Sequence, residues 1–125
     1  VFYTEGKSCF WIDESWGITV DYDNTSNTVH GSKSISIDYD TGWSGLYFYQ
    51  DAGVDPSAYG YLQISFYGPS EIDNLYIETF DINRSQLGQT RLGDVITVEP
   101  NTWQTAYIPL STLAPNNALI NALNF

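Results

Sequence analysis

The chain has 125 residues, near the commonest size of a single domain, and 42% of them are hydrophobic. Four Lys and Arg stand against fifteen Asp and Glu, for a net charge of −11. A chain this acidic has no basic patch to hold a phosphate backbone or an anionic lipid surface, which argues against nucleic acid and membrane as partners. Its apolar runs are only a few residues long, far short of a membrane span.

The hydrophobic share is unusual in kind: ten Tyr, six Phe and four Trp, with no Met. Helical periodicity is nearly absent. Short β-branched and aromatic runs alternate with clusters of Gly, Asn, Asp, Ser and Pro. The pattern predicts strands over 1–4, 16–22, 33–39, 44–50, 60–67, 73–81, 93–99, 103–109 and 119–125. Between them lie turn-forming stretches such as "DNTSN", "DAGVDPS", "GPSEID", "NRSQLGQ" and "STLAPNN". Only 55–59 and 110–114 suggest short helical turns. Strands at this spacing, without βαβ alternation, point to an all-β fold: an antiparallel two-sheet β-sandwich of the jelly-roll type, one domain over 1–125.

Alternation assigns faces, because neighbouring strand residues point to opposite sides. In "WGITVDY", Ile18, Val20 and Tyr22 fall together; in "KSISIDY", Ile35, Ile37 and Tyr39 do. Farther along, Leu46 and Phe48 oppose Tyr47 and Tyr49, which lie on Trp43's side. Leu62, Ile64 and Phe66 oppose Tyr61, Gln63, Ser65 and Tyr67. Leu75, Ile77 and Thr79 oppose Tyr76, Glu78 and Phe80. Three consecutive segments thus set an aliphatic face against a Tyr-rich polar one, and the second is the expected working surface. Tyrosine also favours strands for packing alone, so the grouping carries the signal rather than any single ring.

Such a surface suits sugars. A flat ring sheds water against the C–H patch of a pyranose, while amide, hydroxyl and carboxylate groups satisfy its hydroxyls. Trp16 and Trp43 follow the turns "DES" and "DTG", where rings can project, whereas Trp103 in "TWQTAYIPLS" reads as structural. The ligand-binding set expected from sequence is therefore Trp16, Trp43, Tyr47, Tyr49, Gln63, Tyr67, Tyr76 and Glu78.

Catalytic signatures are thin. His30 is the sole histidine, which leaves a His-based triad or multi-His metal site without support. Glu78 is the one acid on the aromatic face and would carry a glycosidase reading, with no second carboxylate fixed by the sequence. Oxygen-rich loops such as "DYDN" could hold Ca²⁺, although no segment matches the twelve-residue calcium loop. The expectation is a binding protein rather than an enzyme, with no cofactor required.

Two glycosylation triplets, at Asn24 and Asn83, an unpaired Cys9 and a start at Val1 rather than Met fit a secreted, extracellular protein. Cys9 reads as a small apolar residue or as half of a bridge to another chain.

The motif order "VFYTEG…FWIDESWGITVD", "VHGSKSISIDY", "WSGLYF", "YGYLQISFYG", "TWQTAYIPLSTL" and "LINALNF" resembles extracellular jelly-roll carbohydrate-binding modules, which accompany glycoside hydrolases and cell-wall proteins. The resemblance spans the whole chain as a pattern. It implies a noncatalytic sheet face that binds polysaccharide, of the β-linked glucan type, and often a structural Ca²⁺ near the termini, with Glu5 at the position of an acidic metal ligand. Members of that family usually continue with a further strand, so the expectation is either a fragment of a longer protein or a domain that lacks its final C-terminal strand. A vacant sheet edge is a template for another chain. The alternative on the same fold is thus a structural fibre or surface-layer subunit that associates with identical subunits or a neighbouring domain.

Overall fold

The computed structural model describes residues 10–125, so the strand expected at 1–4, Glu5 and Cys9 lie outside the described residues. The fold is all-β with antiparallel pairing, and the chain divides into two compact units, Val1–Gln50 and Asp51–Phe125.

In the first unit, β1 (Ile12–Asp13) pairs with the beginning of β4 (Tyr47–Val54), setting Ile12 opposite Tyr49 and Asp13 opposite Phe48. Two backbone hydrogen bonds between Trp16 and Gly45 extend the contact. β2 (Ile18–Asn24) and β3 (Ser34–Tyr39) form a hairpin. Its alternation is as expected for most positions: Ile18, Val20, Tyr22, Ile35 and Ile37 are half-buried, and Thr19, Asp21, Ser36 and Asp38 are exposed. Tyr39, expected inward, is exposed at the strand end. Trp11, Leu46, Tyr47 and Phe48 are buried.

The second unit is built on two ladders. β5 (Tyr61–Phe66) and β8 (Gln104–Pro109) pair over their full length, from Tyr61 opposite Pro109 to Phe66 opposite Gln104. β6 (Tyr76–Phe80) pairs with β7 (Gln86–Arg91) on one side and β9 (Ile120–Asn124) on the other. Every residue of β9 is buried. Phe66 of β5, Ala106 and Ile108 of β8 and Ile77 of β6 share one core with Leu92 and Leu113. The inner faces of the two ladders therefore meet, and their alternate residues point away from that core in opposite directions. Leu92 and Leu113 belong to single helical turns, α1 (Leu92–Val95) and α2 (Leu110–Leu113).

β4 runs on to Val54 through residues with a turn-like composition, β1 is an additional short strand, and two further segments differ outright from the sequence pattern. Residues 86–91, "QLGQTR", lie in a stretch with a turn-like composition, yet they form β7. The Asp81 carboxylate accepts the backbone N–H groups of Asn83 and Ser85, and Arg84 takes a left-handed φ of 63°, which closes a tight hairpin and returns the chain along β6. Conversely 93–99, rich in Val and Ile, is no strand: it begins in α1, closed by the Ile96 N–H on the Leu92 carbonyl, and one side chain then holds Thr97 and Glu99. The Gln104 amide donates to the Thr97 carbonyl at 2.9 Å and accepts the Glu99 N–H at 2.7 Å, taking the bonds a ladder would have made. The helical turns expected at 55–59 and 110–114 are present at Pro56–Ala58 and Leu110–Leu113.

Candidate functional site

The outward face of β5 and β8 gathers aromatic and neutral polar groups. Directly opposite residues of an antiparallel pair share a face, so the register sets Gln63 beside Tyr107 and Ser65 beside Thr105. One step beyond the ladder, the rings of Tyr67 and Trp103 lie 5.7 Å apart, tilted by 46°. At the other end Tyr61 meets Tyr107 edge-on, with ring centroids 6.3 Å apart. Tyr61 and Tyr107 are 62% and 56% exposed, Tyr67 is exposed and Trp103 half-buried. Two ring pairs thus bracket Gln63 and the hydroxyls of Ser65 and Thr105, which share a 2.9 Å hydrogen bond. From Tyr61 to Tyr67 the strip runs roughly 20 Å at the rise of an extended strand.

The strip carries no Asp, Glu, Lys, Arg or His side chain, in a chain carrying −11. Its chemistry is stacking plus neutral hydrogen bonding, which fits an uncharged polyhydroxyl ligand and gives a cation or anion nothing to pair with.

The expected continuous platform does not form. β5 pairs with β8, whereas β6 lies in the sheet of β7 and β9. Gln63 and Tyr67 therefore face one side of the second unit's core, and Tyr76 and Glu78 the other. Tyr76 is exposed opposite Arg91, itself paired with Asp94 at 2.9 Å. Glu78 is enclosed in an amide network: Asn124 Nδ2 donates to Oε2 at 2.8 Å and Gln86 Nε2 to Oε1 at 3.1 Å. Both carboxylate oxygens thus have internal donors. Asn124 Oδ1 is buried with no hydrogen-bond partner.

The other expected residues lie in the first unit. Tyr47 is 7% exposed, buried with its neighbours and with its ring 6.0 Å from Trp16, so it cannot serve as a solvent-facing contact. Alternation failed here because residues 45–48 are buried on both faces. Tyr49 is half-buried opposite Ile12. Trp16 projects as expected, its indole Nε1 donating to the Trp43 carbonyl at 3.1 Å, and Trp43 is 92% exposed. Asn83 is exposed at the β6–β7 turn, while Asn24 donates to Ser34 Oγ at 2.9 Å.

Sequence reasoning passed over Tyr61, Trp103 and Tyr107 as site residues. The signal was present in "TWQTAYIPLS": Trp103, Thr105 and Tyr107 alternate with Gln104, Ala106 and Ile108, the same split read in 61–67. Trp103, which reads from the sequence as structural, is half-buried and lies on the strip.

Tyr22 donates its hydroxyl to Asp13 Oδ2, and Ser15 Oγ donates to Asp13 Oδ1 at 2.6 Å. Desolvation, then the bond to Asp13 and its charge, push the Tyr22 phenol well above its ordinary range. Among the described residues no three His, Cys, Asp or Glu side chains gather as a metal site, and no helix is long and apolar enough to cross a membrane. No protein-family profile matches the chain, and no curated protein matches its sequence.

Proposed function

We propose that the chain is a noncatalytic carbohydrate-binding module that docks extended, neutral polysaccharide, of the β-linked glucan type, along the outward face of β5 and β8. The observation carrying this reading is the uncharged strip on which Tyr61–Tyr107 and Tyr67–Trp103 bracket Gln63, Ser65 and Thr105. The rings offer flat surfaces to sugar C–H patches, and the amide and hydroxyls between them offer hydrogen bonds. By analogy with base stacking, each ring contributes on the order of 1–3 kcal/mol.

Affinity electrophoresis in gels containing cellulose derivatives, xylan or mixed-linkage glucan tests the proposal. Retardation is expected with at least one of them, weakened by Trp103→Ala and Tyr107→Ala. Migration unchanged by every polysaccharide would dispose of it.

A further inference from the structure

Among the described tyrosines, six are exposed: Tyr39, Tyr59, Tyr61, Tyr67, Tyr76 and Tyr107. Among the described residues Tyr39, Tyr59 and Tyr76 touch no other ring, and Tyr67 has the indole of Trp103 as its neighbour. Tyr61 and Tyr107 alone of the six are in contact with each other, edge to face at 6.3 Å between centroids. They occupy a diagonal of the ladder, since Tyr61 stands opposite Pro109 and Tyr107 opposite Gln63. The ladder holds their Cα atoms in register while the exposed rings remain free to turn about their side-chain bonds.

We infer that Tyr61 and Tyr107 are a site of oxidative coupling, joined within one chain as dityrosine by a one-electron oxidant of the haem peroxidase and hydrogen peroxide class. Each phenol gives up one electron and its hydroxyl proton. The two phenoxyl radicals then pair, forming a carbon–carbon bond between one ring carbon ortho to oxygen on each side chain. The hydrogens on those two carbons pass through water to the phenolic oxygens, which restores both aromatic rings. The protein loses two hydrogens in all, and one hydrogen peroxide accepts two electrons and two protons to become two waters.

Proximity selects this pair. A radical on Tyr61 meets the Tyr107 ring at an effective concentration far above that of any second molecule. Repulsion between chains carrying −11 disfavours the intermolecular route further. With no Met in the sequence, no thioether competes for the oxidant. The inference concerns the same face as the carbohydrate proposal but does not depend on it, because the coupling is read without any glycan.

The test treats the intact chain, dilute and free of polysaccharide, with a haem peroxidase and hydrogen peroxide. The expected product runs as a monomer on a denaturing gel, shows dityrosine fluorescence, is lighter by two hydrogens and yields a peptide joining Tyr61 to Tyr107. Tyr61→Phe and Tyr107→Phe keep the rings and their packing but remove the phenol. Each is expected to lower monomer fluorescence about tenfold, as loss of an intramolecular partner should. Tyr59→Phe, which removes an exposed phenol with no ring neighbour, is expected to leave it unchanged. Fluorescence that persists in Tyr107→Phe, a link mapped to other tyrosines, or coupling seen only in dimers would overturn the inference. So would no dityrosine at all under conditions that couple free tyrosine.

Discussion

Thr79 donates its hydroxyl to the carbonyl of Leu113, and neither side chain is reached by solvent. The bond ties the middle of β6 to the last residue of the α2 turn. Valine has nearly the same shape, so Thr79→Val opens no cavity but leaves the Leu113 carbonyl without this donor. The expected loss is about 1–3 kcal/mol, seen as a lower denaturant midpoint at unchanged slope. An unchanged midpoint would show that the carbonyl has another donor.

Gly88 makes the same junction possible. A Cβ there would collide with the carbonyl oxygen of Thr112 and lie 2.7 Å from that of Leu113, both backbone atoms that cannot swing aside. Gly88→Ala is expected to cost about 1–3 kcal/mol through overpacking. Gly60 has open space around its Cβ position, so Gly60→Ala should change stability by no more than about 0.5 kcal/mol. Thermal unfolding of the two variants side by side checks the contrast.

The aromatic strip predicts where binding is lost. Trp103→Ala and Tyr107→Ala should each weaken glycan affinity by about ten- to a hundredfold, the equivalent of one stacked ring. Trp43→Ala removes a ring that is 92% exposed in the other unit and should leave that affinity unchanged. Calorimetric titration of the three variants separates this strip from the Trp16–Trp43 corner.

Tyr22 predicts an alkaline limit to stability. Its folded-state pKa is raised, above all by desolvation, so the neutral phenol is the form the fold favours. The contribution is fully present below the unfolded pKa of about 10 and is lost as pH rises beyond it, because the unfolded chain then releases a proton that the folded chain retains. Tyr22→Phe should flatten the fall in stability above that pH. Melting curves collected from neutral to strongly alkaline pH check the sign.

Period-two alternation was legible wherever a strand has one wet and one dry face. It placed Ile18 and Val20, Leu62 and Phe66, and Ile77 against Glu78 correctly. It failed at Tyr47, where both faces are covered, because alternation carries no information about what lies over the second face. The strand at 86–91 was hidden by its polar composition: local hairpin closure at Asp81 and the fit of Gly88 under α2 decide it, and the second is a relation between distant residues. The false strand at 93–99 had the right side chains, but its backbone bonds go to the α1 turn and to Gln104. Above all, which ladders lie side by side is invisible to local patterning. Gln63 and Glu78 were therefore grouped on one face, although their strands turn their backs to each other across Phe66 and Ile77.

The uncharged strip between Tyr61 and Trp103 separates two responses to ionic strength. Stacking and neutral hydrogen bonds involve no counterions, so added salt should leave a sugar's hold on β5 and β8 nearly as it was. The acidic remainder of the chain behaves otherwise: screening lets two copies approach that dilute buffer keeps apart.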